Sequence, residues 1–309
     1  MRVLVGDVGG TNTRFAIAQP DGNDWRFEHL HQEPTVADTG AAIASYLKSV
    51  GAAPGAAAFC GAGPLLPNGS IRLVNSEVLL EPDPLARAAG VGRAILVNDF
   101  AAIAHAVPEL PAAAFRPLGT GRALPAYPRV VLGPGTGLGI AVLAQAGGGW
   151  TVIPGEGGHA DLAPVDDEEL QVWQRLRGQG RVSMESVLSG PGLARLYASF
   201  APEREFTAPQ VADAAWRGDE TAARALRIFT RWLGRVAGNL ALTACARGGV
   251  YLAGGIVPAW GARFDAKEFR AGFEDKAPHS DWLRAIPAFV VQHPQPGLYG
   301  LAVLAADAA

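Results

Sequence analysis

The stretch GDVGGTNTRF, residues 6–15, places a carboxylate where a core residue is expected. Asp7 interrupts the apolar run VLVGDV, residues 3–8, and a turn rich in glycine follows at once. Backbone N–H groups in such a turn can hold phosphate, because a ligand approaches the chain most closely where there is no Cβ. This turn, called the first glycine turn, is therefore predicted to bind phosphate through Gly9, Gly10, Thr11 and Asn12.

A second turn of the same kind lies in the middle of the chain. The sequence GPGTGLG, residues 133–139 (the second glycine turn), also has a threonine at its tip and contains Gly135, Thr136 and Gly137. Commoner phosphate patterns do not explain the chain: G-x-x-x-x-G-K-[ST] does not occur, and the match to G-x-G-x-x-A at residues 155–160 is not followed by a helix pattern. Because a plain hairpin also needs glycine, it is the pair of turns that favours a phosphate site.

The position of Asp7 beside the first glycine turn indicates a metal ion. Mg²⁺ prefers oxygen ligands and keeps several of its waters when it binds a protein. A carboxylate next to a phosphate turn is explained if Mg²⁺ lies between the two. Asp7 is therefore predicted to reach Mg²⁺ through water.

Length and charge limit the classes of protein to consider. The chain has 309 residues, 49% of them hydrophobic, and this length favours two lobes. Lys and Arg number 26 against 29 Asp and Glu, giving a net charge of −3 without a basic run, so no nucleic-acid partner is predicted. No apolar stretch reaches the ~18 residues that span a bilayer. Asp7 also interrupts any signal-peptide core, so the protein is predicted to be cytoplasmic, with no membrane partner.

Cys60 and Cys245 are the two cysteines of the chain. They are too few and too far apart in sequence for a zinc site, and a lone disulfide is not expected in a cytosolic protein. Both are predicted to be buried free thiols that pack as small apolar residues.

Hydrophobic patterning predicts an α/β chain. The first hundred residues are expected to form strands at residues 2–8, 13–19, 25–31, 56–60, 71–74 and 94–97, and helices at 36–50, 85–89 and 100–106. Short turns join the first three strands, which is typical of antiparallel neighbours. A proline-rich segment, residues 108–128, is expected to connect the two lobes. Strands at 129–132, 138–144 and 150–154 then repeat the strand–turn–strand pattern, which indicates an internal duplication.

The second half of the chain is predicted to be mostly helical. Asp219 is expected to cap a long helix that ends near Arg247, where Gly248 and Gly249 terminate it. Strands are expected at residues 250–253 and 288–292, and a C-terminal helix begins at Pro296.

Six motifs occur in an order that resembles one known family. They are GDVGGTNTR (residues 6–14), LVNDFA (96–101), LGPGTGLG (132–139), GEGGH (155–159), LSGPGL (188–193) and LAGGIV (252–257). Over nearly the whole chain they closely resemble bacterial ATP-dependent glucokinase, of the hexokinase–actin–Hsp70 superfamily. The resemblance implies a two-lobed ribonuclease-H-like (actin-like ATPase) α/β fold, with ATP and sugar in a central cleft. It places a small lobe at residues 1–108 plus 296–309 and a large lobe at 109–295.

The resemblance also implies an activity and its substrates. The γ-phosphoryl group of ATP would be transferred to O6 of D-glucose, giving glucose 6-phosphate and ADP, with Mg²⁺ accompanying the ATP. The two glycine turns would be the phosphate loops, and Gly254 with Gly255 would form the adenosine-side loop. A homodimer is expected.

Asn98 and Asp99 end a predicted strand and begin a predicted helix. From the residues alone, Asp99 could simply cap that helix. In the family this Asn-Asp pair contacts the sugar, and the aspartate is the base for the attacking hydroxyl. The resemblance therefore implies that Asp99 is catalytic and that both residues bind substrate.

Three further polar residues are candidates for the sugar site. Glu156 and His159 lie in a turn with three glycines, which suits side chains aimed into a site but also fits an exposed flexible turn. Glu185 precedes a predicted helix and could complement its dipole. The family has sugar-binding residues at these motifs, so the resemblance implies that all three bind substrate. Carboxylates and an imidazole can hold the hydroxyls of a sugar ring and reject sugars that leave them unpaired.

One segment departs from the family pattern. Members usually have a turn containing Pro and Gly after the Cys60 strand, then Thr-Asn and a Trp. This chain has CGAGP at residues 60–64 and VNSEV at 74–78, without the Trp. Asn75 is matched to the family's asparagine as a substrate-binding residue. The difference concerns the sugar-side wall, and thus hexose selectivity.

Other functions are compatible with the same scaffold. Within enzymes, the alternatives are a broader hexokinase or a kinase for another hexose such as mannose or an amino sugar. Sugar-kinase-related regulators usually add an N-terminal helix-turn-helix and often a zinc-type cysteine cluster, whereas this chain begins directly at the first strand. A protein-partnered ATPase of the actin or Hsp70 type is a third class. Asn98-Asp99 together with GEGGH favours a small polyhydroxylated acceptor.

Overall fold

The computed structural model describes residues 1–22, 24–74 and 76–308. Its strands are β1 Val3–Val8, β2 Asn12–Asp21, β3 Asp24–Pro34, β4 Ala56–Gly61, β5 Ile71–Arg72, β6 Leu79–Leu80, β7 Ala94–Asn98, β8 Phe115–Pro117, β9 Arg129–Pro134, β10 Leu138–Ala146, β11 Gly149–Gly155, β12 Val250–Leu252 and β13 Ala288–Val291. These strands lie mainly in two mixed sheets, and with the helices they form the α/β class that the patterning of the sequence predicts.

Helices follow or flank most of the strands. They are α1 Thr39–Val50, α2 Pro82–Ala89, α3 Asp99–Ala106, α4 Asp167–Arg177, α5 Met184–Val187, α6 Gly190–Ala198, α7 Ala208–Trp216, α8 Glu220–Ala244, α9 Val257–Trp260, α10 Ala266–Glu274, α11 Ser280–Arg284 and α12 Pro296–Asp307, with short 3-10 helices at Ala112–Ala114, Gly157–His159 and Gly261–Arg263. Within these elements, no helix combines the length and the apolar character needed to cross a bilayer.

The first sheet has the strand order β3-β2-β1-β4-β7. β1 and β2 pair antiparallel, as do β2 and β3, which confirms the antiparallel start predicted from the short turns. β1, β4 and β7 run parallel, so their carboxyl ends lie at one edge of the sheet. The register places Asp7 opposite Cys60 and Gly61 opposite Asn98, which brings three chemically active side chains to that edge.

The second sheet has the order β11-β10-β9-β12-β13-β8. β9 and β10 pair antiparallel around the second glycine turn, so the strand–turn–strand pattern does recur. β12 runs parallel to β9 and leads into Gly254 and Gly255. The second glycine turn and the loop after β12 therefore leave neighbouring strands at the same end of the sheet.

The described chain divides into two compact units. The first comprises Met1–Ala114, Val152–Pro154 and His293–Ala309, and the second comprises Phe115–Thr151 and Gly155–Gln292. In the first unit, α12 packs on α3 so closely that a Cβ added to Gly300 would lie 1.8 Å from the carbonyl oxygen of Ala102. In the second, α8 carries much of the core, including fully buried Phe229 and Trp232. The lobe boundaries at residues 108 and 296 stay a prediction.

Some predictions from the sequence differ from the structure. The segment at residues 108–128 contains strand β8, an edge strand in which Pro117 lies at a position that tolerates its missing N–H. Helix α8 does begin after the N-cap Asp219, but it ends at Ala244 rather than near Arg247.

The prediction for the two cysteines is half correct. Cys60 is buried, as expected, and Cys245 is exposed. Cys245 is the C-cap residue of α8 and has φ +51°, the left-handed conformation that ends the helix and turns this side chain to solvent.

Candidate active site

The carboxyl edge of the first sheet carries Asp7, Cys60 and Asn98 at the ends of three adjacent parallel strands. Ligands of open α/β sheets bind outside this end of the strands. Asp99 follows directly as the first residue of α3. Strand pairing therefore brings Asp7 and the Asn98-Asp99 pair to one edge although about ninety residues separate them in sequence.

Asp7 lies between a thiol and a guanidinium. The buried Cys60 thiol donates to Asp7 Oδ1, with Sγ and Oδ1 3.5 Å apart. Asp7 Oδ2 lies 3.6 Å from an Arg14 nitrogen, and the Asp7 side chain is 30% exposed. Burial raises the pKa of Asp7, and the Arg14 charge and the Cys60 hydrogen bond offset part of that rise. A second cation near Asp7 would further stabilise its charged form.

The Cys60 thiol is close enough to both Asp7 and Asp99 to be affected by their charges. Burial is the main cause that raises the pKa of its thiol, and the charges of Asp7 and Asp99 add to it. The thiol is therefore protonated at neutral pH, which makes it a donor to Asp7 rather than a nucleophile.

Asn98, rather than Asp99, is the N-cap of α3. Its Oδ1 accepts from the N–H groups of Phe100 and Ala101, at 2.9 and 3.2 Å, and its Nδ2 donates to the carbonyl of Gly63 at 3.1 Å. Asp99 accepts from the Phe100 N–H at 3.0 Å within the first turn. The alternative in which Asp99 is the N-cap is therefore wrong, because Asn98 holds that position.

The first glycine turn is fixed by a threonine that follows β3. Thr35 Oγ1 donates to the Gly9 carbonyl at 2.6 Å, and the Thr35 N–H donates to the Thr11 carbonyl at 2.9 Å. Because the one hydroxyl proton of Thr35 points at Gly9, buried Thr13 must donate to Thr35 across their 3.0 Å contact. The tip of the turn, with Thr11 and Asn12, is exposed and free to meet a ligand.

The second glycine turn packs backbone to backbone against the loop after β12. A Cβ added to Gly133 would lie 2.3 Å from the carbonyl oxygen of Ala253. Gly254 has φ +78°, and a Cβ there would lie 2.7 Å from the Pro134 carbonyl oxygen. The Gly190 N–H at the start of α6 donates to Gly135 at 2.8 Å. The structure thus brings the predicted residues Gly135, Thr136, Gly137, Gly254 and Gly255 into one region, in which Thr136 and Gly255 are exposed.

Glu156, His159 and Glu185 form a cluster beside the second glycine turn. His159 Nε2 lies 3.7 Å from Glu156 Oε2, and His159 Nδ1 lies 3.8 Å from Glu185 Oε1. The side chains of Glu156 and His159 are 48% and 57% exposed, so both can reach solvent or a ligand. Glu185 Oε2 accepts from the Leu138 N–H at 2.9 Å, so Glu185 turns to the glycine turn rather than toward its own helix.

Asn75, the remaining predicted sugar residue, lies outside the described residues. The sequence interpretation missed Thr35, and it treated Cys60 only as a packing residue. No local pattern marks Thr35, whose partner Gly9 is 26 residues earlier. The position of Cys60 on a strand next to β1 could have indicated its contact with Asp7, had the strand order been known.

The sequence has close relatives over its whole length. A sequence model of the glucokinase family matches residues 4–308. The glucokinase of Chromobacterium violaceum is 39% identical over 313 residues, an alignment that covers 98% of this chain and 89% of that protein.

Solved structures agree with this match. A glucokinase from an Antarctic psychrotroph has a TM-score of 0.87 and 32% identity, with 99% of both chains covered. The glucokinase of Balamuthia mandrillaris, solved in complex with glucose, has a TM-score of 0.82 and 25% identity, and the match covers 99% of this chain and 93% of that one. The fold is therefore the ribonuclease-H-like (actin-like ATPase) α/β fold that the motifs predict.

Proposed function

Because the chain belongs to the glucokinase family and is an ATP-dependent sugar kinase, we propose that it transfers the γ-phosphoryl group of ATP to O6 of D-glucose. The products are glucose 6-phosphate and ADP. The observation that carries the proposal is the sheet edge at which Asp7 and Asp99 flank Cys60, beside the first glycine turn. A phosphate turn, a carboxylate for a metal and a second carboxylate for an acceptor hydroxyl are the parts that phosphoryl transfer to a sugar requires.

Asp99 is the proposed general base. Its carboxylate accepts the proton of the O6 hydroxyl as that oxygen attacks the γ-phosphorus, and the bond to the β-phosphate oxygen of ATP breaks. Positioning and charge neutralisation supply most of the catalysis in phosphoryl transfer, and a positioned base adds ~10²–10⁴-fold. The start of α3 holds Asp99 in place, since Asn98 fixes this helix end by capping it.

The residues near Asp7 fit Mg²⁺ bound through water. Among the residues that the structure describes, no three His, Cys, Asp or Glu side chains converge on a point that could hold a metal ion. Mg²⁺ in kinases is usually held by one or two carboxylates and the substrate phosphates, so a single carboxylate suffices. Burial raises the pKa of the partly exposed Asp7 although Arg14 lies 3.6 Å away, so a further cation beside this carboxylate would stabilise its charged form. When bound there with ATP, Mg²⁺ would neutralise phosphate charge.

The substrate-binding residues are proposed from their chemistry. Glu156, His159 and Glu185 would accept or donate hydrogen bonds to the sugar hydroxyls, together with Asn98, Asp99 and Asn75. The first and second glycine turns and the pair Gly254 and Gly255 would hold the nucleotide. A sugar of the wrong shape would cover one of these polar groups and leave it without a hydrogen-bond partner, which would disfavour its binding relative to glucose.

The state and location of the protein are also proposed from the family resemblance. We propose a homodimer in the cytoplasm. Light scattering on the purified protein measures the mass directly, and a monomer would overturn the first part. Fractionation of cells that produce the protein tests the second part.

The activity is tested by a coupled assay for ADP release with ATP and Mg²⁺ against a panel of hexoses. Glucose should support the highest kcat/KM, and excess chelator should abolish turnover. ATP hydrolysis without sugar should be slow, because water does not supply the binding energy of the sugar. Activity that survives the chelator, or ADP release that does not depend on hexose, overturns the proposal.

The base is tested by Asp99→Asn. The amide keeps the shape of the side chain but cannot take up the proton, so kcat should fall by ~10²-fold or more. Folding should be unaffected because Asn98 caps the helix. Glucose binding by titration calorimetry should persist, perturbed through one altered hydrogen bond. Turnover within about ten-fold of wild type would show that Asp99 is not the base.

A further inference from the structure

The carboxylate of Glu185 connects the second glycine turn to the Glu156–His159 pair. Its Oε2 accepts the Leu138 N–H at 2.9 Å, and its Oε1 lies 3.8 Å from His159 Nδ1. A carboxylate has two oxygens, and here each of them faces a different group. Leu138 is the residue at which the second glycine turn passes into β10.

The turn that carries Glu156 and His159 touches the same point of the chain. A Cβ added to Gly158 would lie 2.3 Å from the Leu138 carbonyl oxygen, so the two backbones are in direct contact. The Met184 N–H donates to Ala160 at 2.8 Å, which ties the residue before Glu185 to the end of the same turn. Leu138 thus contacts both Glu185, through its N–H, and the GEGGH turn, through its carbonyl.

Gly137 is needed for this arrangement in a way that Gly135 is not. A Cβ on Gly137 would lie 2.4 Å from Glu185 Oε2, a distance that real Cβ atoms do not adopt. A Cβ on Gly135, two residues earlier in the same turn, would have its nearest neighbour at 3.9 Å, the Gly255 N. The absence of a side chain at Gly137 therefore provides the space that the Glu185 carboxylate occupies.

We propose that the second glycine turn has a role besides holding phosphate: Gly137 and Leu138 position Glu185 for the sugar. This inference rests on the proposed function, since it assumes that Glu185 binds glucose. Gly137 and Leu138 are positioning residues, because they act on the sugar through Glu185.

The test compares Gly137→Ala with Gly135→Ala in the full-length protein, by calorimetric titration with glucose in the absence of nucleotide. Gly137→Ala pushes Glu185 aside, and because the loss of a hydrogen bond to a charged group weakens binding by about ten-fold or more, the glucose Kd should rise at least ~10-fold. Gly135→Ala should bind glucose with close to wild-type affinity, while its affinity for a non-hydrolysable ATP analogue falls. A general weakening of the turn would affect the two variants alike.

Equal glucose affinities of Gly137→Ala and Gly135→Ala overturn the inference. If the wild-type protein itself does not bind glucose, the proposed sugar is wrong, and the inference falls with it. If the wild-type protein binds glucose and Gly137→Ala binds it with the same affinity, this inference is overturned while the proposed function stands.

A second measurement does not depend on the folding of Gly137→Ala. Wild-type protein labelled with nitrogen-15 leucine is titrated with glucose, without nucleotide, and the Leu138 amide resonance is followed. Because the Leu138 N–H donates to Glu185, its resonance should shift as the sugar engages that carboxylate. A Leu138 resonance that stays in place at saturating glucose contradicts the inference.

Discussion

The two glycine turns have the same sequence signature and are held in place by different means. The first is held by a side-chain hydroxyl, since Thr35 donates to the Gly9 carbonyl. The second is held by close backbone packing, in which Gly133 leaves no room for a Cβ beside Ala253. A Cβ on Gly10 of the first turn would lie 3.4 Å from its nearest neighbour, an ordinary contact. Gly10 therefore leaves the first turn open to a ligand, and Gly133 makes room for the neighbouring chain at the second turn.

The carboxylates beside the two turns differ as well. Asp7 lies on a strand, is partly exposed, and contacts a thiol and a guanidinium. Glu185 lies on a four-residue helix and accepts a hydrogen bond from the turn itself. The first arrangement suits a fixed charge that acts on the phosphates through a metal. The second suits a sugar ligand whose position depends on the turn.

The largest effect is expected for Asp7→Ala, which removes the charge beside the first turn. Losing one group that stabilises transition-state charge lowers kcat by ~10²–10³-fold. The glucose Kd should stay within a few-fold of wild type, because the proposed role of Asp7 lies at the phosphate end. Steady-state kinetics over a Mg²⁺ series and glucose titration measure the two effects.

Asp7→Asn is the matched control for shape. It keeps an acceptor for the Cys60 thiol but lacks the charge, so it should be as impaired as the alanine variant. Normal turnover of either variant at saturating Mg²⁺ would show that Asp7 has a purely structural role. The proposed contrast between Asp7 and Glu185 would then be wrong.

A smaller effect, on stability, is expected for Gly133→Ala in the second turn. Its Cβ would overlap the Ala253 backbone at 2.3 Å, and the backbone and side-chain shifts that this overlap forces should lower the free energy of unfolding by about 1–3 kcal/mol. Gly10→Ala in the first turn should change stability by less than ~0.5 kcal/mol. Thermal unfolding followed by circular dichroism measures both, and equal melting temperatures would show that the two turns tolerate a side chain equally.

The smallest effect is expected for Thr35→Val, which removes one hydroxyl and keeps the branched shape. The lost hydrogen bond to Gly9 is worth about 0.5–1.5 kcal/mol, so kcat/KM for ATP should fall by roughly two- to twelve-fold. The KM for glucose should be unchanged. Steady-state kinetics with each substrate varied in turn give both values.

Two variants serve as controls for Thr35. Thr35→Ser keeps the hydroxyl and should restore most of the ATP affinity. Thr39→Val makes the same exchange at a buried threonine whose hydroxyl has no partner among the described residues, and it should leave both KM values unchanged. A Thr35→Val enzyme with normal kcat/KM for ATP would show that the hydroxyl does not hold the first turn.

The local sequence pattern predicted the helices and strands better than it predicted which strands lie next to each other in a sheet. The alternation in residues 2–31 gave three antiparallel strands, because short turns leave adjacent strands no other pairing. The order β1-β4-β7, which brings Asp7 beside Cys60, depends on pairings between distant segments that periodicity does not encode. Edge strand β8 was missed because its proline-rich surroundings carry the pattern of a loop.

Residues of the candidate site could be predicted where the proposed function requires an unusual residue type. They were harder to predict where an ordinary residue takes its role from a contact formed on folding. Asp7 and the glycines of the turns stand out because a carboxylate or a missing Cβ is unusual at those positions, whereas Asp99 was identified through the family resemblance. The group that holds the first turn, the Thr35 hydroxyl, is ordinary in sequence and acquires its role from a contact formed on folding. The end of α8 at Cys245 was missed since a left-handed cap at a non-glycine residue has no clear sequence signal.

The contact between α3 and α12 has a consequence for the order in which the protein is made. Tyr299 of α12 donates to the carbonyl of Glu109 just after α3, and these two residues are 190 positions apart in the chain. A ribosome adds about 5–20 residues per second, so α3 emerges roughly 10–40 s before the helix that covers it. During that interval α3 can pack on β4 and β7, but Ala102 lacks the contact with Gly300 that covers it in the folded protein. The first unit, although it begins the chain, therefore acquires its complete core only after the second unit has been translated.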